Sequence, residues 1–316
     1  MRIIYVPQYP TPMRYQEWWF WKLPEKFRKA GHEVIILGED YVKMIESRRG
    51  ALDMFSPINV AIELETEQIR EYMMLDFQED DVLFWSDLSF PGIFGTALFH
   101  KRPPKMFAFC HATSINKGDY YEKYKDEKFI IETAFAKSFD KVFVGSQYHA
   151  DKLQWDNTIV TYLPFPPFER QTKLKSYDIM SASRPNPQKV DLHLEKIVET
   201  KFGKIYRPSP TTWEGYFSNL AKSKILLITS HEDTFGYQII DAILNGCIPI
   251  ARNGLAYPEI LPYNYLYSDE YELMDKIEYI LNNSFDSDLI PDILCQVEMD
   301  NFYNKIIEEM ENTNAI

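Results

Sequence analysis

Residues 231 to 250, HEDTFGYQIIDAILNGCIPI, place an acidic loop directly before an apolar, helix-like segment and a β-branched run. Gly236 stands where the helix would begin, and a glycine there lets the backbone come close to a ligand. The helix start presents free N–H groups and the positive end of its dipole to an anion. Because carboxylates would repel a phosphate, Asp233 and Asp241 are better suited to accept hydrogen bonds from hydroxyl groups. The stretch therefore predicts a loop that contacts both a phosphate and the hydroxyls of a sugar or ribose.

On both sides of this stretch, β-rich runs alternate with amphipathic segments of helical length, which is the pattern of parallel α/β sheets. The predicted strands of a first set are RIIYV (2–6), EVIILG (33–38), NVAIEL (59–64), DVLFWSD (81–87), KMFAFCH (105–111), KVFVGS (141–146) and TIVTYLP (158–164). Those of a second set are YDIMSAS (177–183), KIYRP (204–208), KILLITS (224–230), CIPIARN (247–253) and YLYS (265–268). The sequence thus predicts two successive parallel-sheet units.

The segment PFPPFERQTKLKS, residues 164 to 176, separates the two sets of strands. It contains three prolines and no apolar periodicity, so it indicates an extended connector with a domain boundary near residue 170. Two such sheets leave a cleft between them, and ligands of parallel sheets bind at the carboxyl ends of the strands. The loops that follow residues 183 and 230 are therefore the candidate binding loops.

The first of these loops carries Arg184 and Lys189, five residues apart after a predicted strand. The planar guanidinium of an arginine and the point charge of a lysine can bind the same anion, and a diphosphate fits both. Taken alone, the pair fits a solvated loop equally well. Likewise, Asp233 and Asp241 taken alone fit a helix cap and a surface residue.

Composition bounds the class of protein. The chain has 316 residues, enough for two domains, and no stretch approaches the ~20 apolar residues of a membrane span. The first predicted strand begins at residue 2, which leaves no room for a signal peptide, so we expect a cytoplasmic protein, in the host-cell cytoplasm if it is viral. Three widely separated cysteines (Cys110, Cys247 and Cys295) lack the CxxC spacing of metal sites and are predicted to be buried thiols.

Together, these motifs resemble the retaining GT-B glycosyltransferases of the family-four type. That family carries Arg and Lys five residues apart after a strand, then Glu-x7-Glu around Phe-Gly, and then Glu-Ala-x-x-x-Gly-x-Pro-Val. Here Arg184 and Lys189, the pair Asp233-x7-Asp241 around Phe235-Gly236, and the segment 241–250 follow the same order and spacing. In the first half, AGHEV (30–34) and FDKVFVGSQYHADKL (139–153) match the family more loosely.

The resemblance implies a GT-B fold, an α/β architecture of two Rossmann-like domains that face each other across a cleft. Residues 1–170 would form the acceptor domain, rejoined by a last helix at about 300–316, and residues 171–299 the nucleotide-sugar donor domain. The implied site residues are Arg184 and Lys189 on the diphosphate, Asp233 with Thr234, Phe235 and Gly236 beside the donor sugar, Asp241 on the ribose, and His111 on the sugar or leaving phosphate. No metal is obligatory in this family, and a nucleotide-diphosphate sugar is the co-substrate.

The chain departs from the family pattern at two places. Both carboxylates of the pair are Asp rather than Glu, so each is one methylene shorter. The glycine-rich loop after the first strand is replaced by PQYPTPMRYQEWWFWK (7–22), which has no glycine. In that segment Gln8, Tyr9, Arg14 and Trp18 are the candidate acceptor contacts, although Trp18 equally fits a core aromatic and His111 a structural histidine.

The acceptor is the least defined part of the prediction. Compact GT-B enzymes that glycosylate hydroxymethylated bases of phage DNA are an analogy for this glycine-poor chain, and DNA is a possible partner. The net charge of −13 opposes tight non-specific binding of nucleic acid. A glycan, a lipid or a small-molecule acceptor therefore stays open, as do a nucleotide-sugar epimerase and a non-catalytic sugar-nucleotide binder of the same fold. Neither a membrane-embedded part nor an oligomeric state is predicted.

Overall fold

A computed structural model of the chain describes residues 1–48, 57–88, 102–118, 122–166, 168–183, 188–283 and 299–313. Within these ranges the strands form two sheets, and every strand pair in both sheets is parallel. The predicted α/β class with two parallel sheets is therefore confirmed. None of the described helices is both long and apolar enough to cross a membrane.

The first sheet has the strand order β2-β1-β3-β4-β5-β6. Its strands are β1 (Arg2–Val6), β2 (Glu33–Ile36), β3 (Asp81–Trp85), β4 (Lys105–Cys110), β5 (Lys141–Val144) and β6 (Thr158–Val160). Its helices are α1 (Tyr15–Lys29), α2 (Glu39–Arg48), α3 (Pro57–Met74), α4 (Lys125–Ala136) and α5 (Gln147–Leu153). The chain adds β2 on one side of β1 and then adds β3 on the other side of β1. The direction in which strands are added therefore reverses between β1 and β3. Crevices at such reversals are the usual ligand sites of open parallel sheets.

The predicted strand at 59–64 is wrong, because these residues lie inside α3. Val60, Leu64, Gln68 and Tyr72 are buried at a spacing of four residues, which forms one stripe along a helix. A six-residue apolar run cannot distinguish a buried strand from the inner face of a helix. The signal becomes clear only over the full 18 residues of α3.

The second sheet has the strand order β10-β9-β8-β7. Its strands are β7 (Tyr177–Met180), β8 (Ser223–Ile228), β9 (Ile248–Arg252) and β10 (Leu266–Tyr267). Its helices are α6 (Leu192–Phe202), α7 (Trp213–Lys222), α8 (Tyr237–Leu244) and α9 (Glu270–Asn282). The predicted strand at 204–208 is reduced to a single parallel bridge between Tyr206 and Met180, and Pro208, two residues after Tyr206, has no N–H group with which to extend the pairing.

The bridge at Tyr206 still determines the winding of the second sheet. Met180 of β7 pairs with Tyr206 and also with Leu226 of β8, so these two partners lie on opposite sides of β7. The chain therefore leaves β7, passes Tyr206 on one side and returns to β8 on the other. This places the reversal of the second sheet between β7 and β8, where the loops containing Lys189 and Asp233 begin.

A final helix, α10 (Met299–Asn312), packs against elements of the first sheet. The Phe302 ring lies 5.7 Å from Trp19 and 6.1 Å from Phe109, centroid to centroid. Lys305 Nζ donates to the Val160 carbonyl at 2.7 Å. Between β6 and β7, the described residues from 161 to 176 form neither helix nor strand, and the predicted boundary near residue 170 falls in this segment.

Candidate functional site

The loop from His231 to Gly236 connects β8 to α8, and Gly236 determines how the chain enters the helix. Its φ of +98° lies in the left-handed region that favours glycine. A Cβ atom at this position would lie 2.9 Å from Tyr257 Cε1, so the backbone also packs too closely against that ring for a side chain. Both backbone conformation and packing therefore favour glycine at position 236.

Asp233 and Lys189 lie side by side at the start of this loop. The carboxylate Oδ1 accepts a hydrogen bond from the Phe235 N–H at 3.2 Å, and Oδ2 lies 3.5 Å from both Lys189 Nζ and the Tyr257 hydroxyl. Lys189 Nζ also donates to the Glu232 carbonyl at 2.6 Å. Both side chains keep part of their surface exposed, 21% for Asp233 and 29% for Lys189, so both are open to a ligand. Arg184, the predicted partner of Lys189, lies outside the described residues.

Asp241 is buried in the second turn of α8 and is only 5% exposed. Its Oδ2 accepts a hydrogen bond from the Tyr216 hydroxyl at 3.1 Å, whereas Oδ1 is buried without a partner among the described residues. Burial raises the pKa of this carboxyl to about 7, and the hydrogen bond from Tyr216 opposes the rise only in part. Asp241 is therefore a buried acceptor with one unused oxygen rather than a surface residue.

His111 follows β4 and packs within an aromatic cluster. Its ring stacks on Tyr15 at 4.0 Å and lies 4.6 Å from Trp19 and 4.5 Å from Phe109. Burial and then the nearby His149 lower the pKa of His111 well below its usual value, so the imidazole is neutral. Its carbonyl accepts a hydrogen bond from Thr234 Oγ1 at 2.8 Å, which joins the end of β4 to the loop after β8.

Glu232 is a site residue to which the sequence motifs give no role. It is 5% exposed, and its carboxylate accepts hydrogen bonds from Asn116 Nδ2 at 2.8 Å and from Lys152 Nζ at 2.8 and 2.9 Å. Nearby, Glu259 accepts from the backbone N–H groups of Gln147 and Tyr148 at 2.7 Å each. These two carboxylates hold the loops of the second sheet against α5 of the first, and only three-dimensional proximity reveals the pairing.

The predicted acceptor contacts after β1 occupy different environments. Gln8 Nε2 donates to Asp87 Oδ2 at 2.9 Å, and Tyr9 is partly buried against the core. Arg14 directly precedes α1, and burial lowers the pKa of its guanidinium. Trp18 is 5% exposed and packs edge-on against Tyr237, which agrees with the core-aromatic alternative.

Of the predicted residues, the structure thus brings Lys189, Asp233, Thr234 and His111 together, with Asp241 on the helix behind the loop. Two residues in contact with predicted site residues are not themselves predicted: Asp87 accepts a hydrogen bond from Gln8, and Tyr15 stacks on His111. Tyr15 lies within the quoted segment 7–22, and Asp87 ends the predicted strand 81–87, so the strand-end rule offered a signal for Asp87. The described residues contain no group of three or more His, Cys, Asp or Glu side chains arranged to hold a metal ion.

Comparison with solved structures identifies the class of fold. HepE from Anabaena, in complex with UDP-glucose, matches with a TM-score of 0.71 at 14% identity, over 99% of this chain and all of that one. Sucrose-phosphate synthase from Thermosynechococcus elongatus matches with a TM-score of 0.69 at 12% identity, over 98% of both chains. These neighbours are GT-B glycosyltransferases, so the predicted GT-B fold is confirmed. At such low identity the likeness establishes the fold alone.

A sequence relative is found over a shorter region. The tRNA-queuosine alpha-mannosyltransferase of Drosophila melanogaster is 32% identical over 90 residues, which are 28% of this chain. The match spans about a quarter (24%) of the relative's length. No protein-family model matches the chain.

Proposed function

We propose that this chain is a glycosyltransferase that moves a sugar from a nucleotide-diphosphate donor to a hydroxyl acceptor with retention of the anomeric configuration. One observation carries the proposal: the loop after β8, at the winding reversal of the second sheet, meets the carboxyl end of β4 of the first sheet. There Lys189 lies 3.5 Å from Asp233, and Thr234 is hydrogen-bonded to the His111 carbonyl at 2.8 Å. The fold shared with HepE, which was crystallised with UDP-glucose, supports a nucleotide-sugar as the donor.

The donor roles follow from the chemistry of each side chain. Lys189, together with Arg184, binds the diphosphate, and the backbone from Thr234 to Gly236 contacts the donor at the start of α8. Asp233 accepts hydrogen bonds from the sugar, and the unused Oδ1 of Asp241 accepts one from the ribose. The Tyr216 hydroxyl holds the other oxygen of Asp241.

In the transfer step, the acceptor hydroxyl oxygen forms a bond to the anomeric carbon on the face from which the diphosphate departs. The bond between that carbon and the diphosphate oxygen breaks, and its electron pair stays on the diphosphate. The acceptor proton passes to the departing diphosphate oxygen, so no protein base is required. Lys189 stabilises the charge that develops on the leaving group, and the neutral His111 contributes a hydrogen bond rather than a positive charge.

For the acceptor, we propose a hydroxyl group on a modified nucleic-acid base. Enzymes that act on hydroxymethylated DNA bases are an analogy for such an acceptor, and the Drosophila relative, whose name specifies queuosine in tRNA, favours the same class. The reacting hydroxyls of a hydroxymethylated base and of queuosine are both carried by the base, away from the phosphate backbone. This agrees with a chain of net charge −13 that does not rely on tight backbone binding.

The test is a transfer assay with UDP-glucose and GDP-mannose as donors and with hydroxymethylated DNA and queuosine-containing tRNA as acceptors. Released nucleoside diphosphate gives the rate, and proton NMR gives the anomeric configuration of the product. We expect Lys189→Ala to lower kcat by roughly 100-fold or more, because it removes a charge that stabilises the leaving group. Lys224→Ala, at an exposed ion pair with Asp178, is the matched control and should keep the wild-type rate.

Other outcomes separate the alternative functions. An isomeric nucleotide-sugar formed from the donor alone would identify an epimerase. A donor that binds and is never consumed would identify a non-catalytic binder. An inverted product would contradict the proposed mechanism of retention, and full activity of Lys189→Ala would contradict the proposed site.

A further inference from the structure

A second polar cluster lies at the winding reversal of the first sheet, opposite the donor loop. Gln8 follows β1 and Asp87 follows β3, the two strands between which the winding reverses. Asp87 is 4% exposed, and its Oδ2 accepts hydrogen bonds from Gln8 Nε2 at 2.9 Å and from the Tyr15 hydroxyl at 3.2 Å. The Gln8 N–H donates to Ser86 Oγ at 3.0 Å, which fixes the backbone after β1 against the end of β3. Side chains from two strand ends and the start of α1 thus converge on one carboxylate.

Two buried polar atoms in this cluster lack a hydrogen-bond partner. They are Oε1 of Gln8 and Nε2 of His111, and neither has a partner among the described residues. His111 is more than nine-tenths buried, and its ring stacks directly on Tyr15 at 4.0 Å. A buried polar atom without a partner costs about 1–3 kcal/mol, so two in one cluster indicate groups that a ligand completes.

The cluster also borders the proposed donor site. Tyr15 stacks on Tyr237, the first residue of α8, with ring centroids 6.4 Å apart. His111, which also stacks on Tyr15, is joined to the donor loop through Thr234. A group bound at Asp87 would therefore lie beside the sugar of the donor, at the end of the first sheet that faces it.

We propose that Asp87, Gln8 and Tyr15 form the acceptor-hydroxyl site, in which the Asp87 carboxylate and Gln8 Oε1 bind an uncharged hydroxyl-bearing group. This inference rests on the proposed sugar transfer. It adds the chemical class of the group on the acceptor that carries the reacting hydroxyl. Both donors to Asp87 Oδ2 named above, an amide and a phenol, are uncharged, so neither of them neutralises the carboxylate. A carboxylate favours hydroxyl donors and repels a phosphate, so the reacting end of the acceptor is not phosphorylated.

The experiment compares neutral acceptor probes with phosphorylated ones. The neutral probes are 5-hydroxymethyl-2′-deoxycytidine and methyl α-D-glucopyranoside, and the phosphorylated probes are glycerol 3-phosphate and glucose 6-phosphate. We expect transfer to a neutral probe, with a KM at least tenfold lower than for a phosphorylated one. In Asp87→Asn we expect the acceptor KM to rise at least tenfold, whereas the donor KM stays within about twofold.

The choice of variants separates binding from folding. The amide oxygen of Asp87→Asn can still accept the hydrogen bonds from Gln8 and Tyr15, so this variant removes the charge at nearly constant shape. Gln8→Met removes both the unpartnered Oε1 and the Nε2 donor to Asp87 while preserving the side-chain length, and it should also raise the acceptor KM. Asp126→Asn, at an exposed position in the first turn of α4, is the control and should leave both constants unchanged.

The outcomes keep this inference distinct from the proposed function. If the wild type binds a nucleotide-sugar but prefers phosphorylated probes, or transfers to no neutral probe, the acceptor-hydroxyl site is wrong and the donor site stands. An acceptor KM unchanged in Asp87→Asn would have the same meaning. If no nucleotide-sugar binds to the wild type, the proposed function itself fails, independently of Asp87.

Discussion

Asp241 is a buried carboxylic acid in α8, and its surroundings raise its pKa to about 7. In the unfolded chain the same group titrates near the ordinary aspartate value of about 4. A pKa that is higher in the folded state means that the folded protein binds the proton more tightly. The stability that this proton contributes is fully present below pH ~4 and is lost as the pH rises through about 7.

We therefore predict that Asp241→Asn changes how stability depends on pH. An asparagine carries no titrating proton, so the free energy of unfolding of the variant, relative to wild type, should rise by about 3 kcal/mol between pH 5 and pH 8. Urea denaturation of both proteins at the two pH values measures this difference. Asp178→Asn, at an exposed position, serves as the control. A wild-type-to-variant difference that is constant with pH would show that Asp241 titrates normally.

At this scale the sequence motif predicts candidate residues but not their environment. The Asp-x7-Asp spacing selects Asp241 as a candidate, because a motif records residue type and distance along the chain. The hydrogen bond from Tyr216, 25 residues away, depends on how α7 packs beside α8. That packing is a tertiary property with no local signature, and so is the pKa that results from it.

Among the secondary-structure elements, α8 depends on the conformation of the glycine before it. We predict that Gly236→Ala destabilises the protein by roughly 1–3 kcal/mol through its left-handed φ, and by more through the clash of the new Cβ with Tyr257. The loop that holds Asp233 would also shift, so nucleotide-sugar binding should weaken. Denaturation and a binding titration on the same variant measure the two effects.

The chain offers a matched control for this prediction. Gly203 also has a positive φ, +90°, with an extended ψ of −175°, and a Cβ atom there would meet no atom within 4 Å. Gly203→Ala should therefore lower stability through backbone conformation alone and leave donor binding unchanged. An equal loss of donor binding in the two variants would mean that the loop at Gly236 has no particular role in binding.

The strengths and errors of sequence-based prediction are also clear for the elements. The strands at 2–6 and 224–230 are predicted because their β-branched runs end at clear turn or loop residues. The run at 59–64 is misread because six apolar-rich residues fit a strand as well as the buried stripe of α3. The segment at 204–208 has strand-like composition, but Pro208 limits its pairing to one bridge at Tyr206.

For the whole molecule, the central feature is that the winding reversals of the two sheets face each other. Hydrogen bonds join them from both sides of the site: Trp213 Nε1 donates to Glu17 Oε2 at 2.9 Å, and Ser146 Oγ donates to the Thr234 carbonyl at 2.5 Å. The sequence predicted two parallel sheets and the strand ends to inspect. It did not predict these cross-contacts, because each joins residues that are between 88 and 196 positions apart in the chain.

The residues proposed for the two halves of the site differ in how local their sequence signal is. Those proposed to bind the donor lie in two short loops with a family-like spacing, so Lys189 and Asp233 follow from a local pattern. Those proposed to bind the acceptor come from the ends of β1 and β3 and the start of α1 and share no motif. Gln8 was named among four candidates, and its contact with Asp87 emerges only from the order of the strands.

The most direct test of the central claim is the thermal and urea stability of the wild type in the presence of UDP, GDP, ADP, CMP and their common sugar conjugates. A ligand at 100 times its Kd should add ~2.7 kcal/mol to the free energy of unfolding. We predict a clear increase with one nucleotide class and its sugar conjugate, and loss of that increase in Lys189→Ala. No increase with any nucleotide, or an equal increase in Lys189→Ala, would contradict a nucleotide-sugar site at the meeting point of the two sheets.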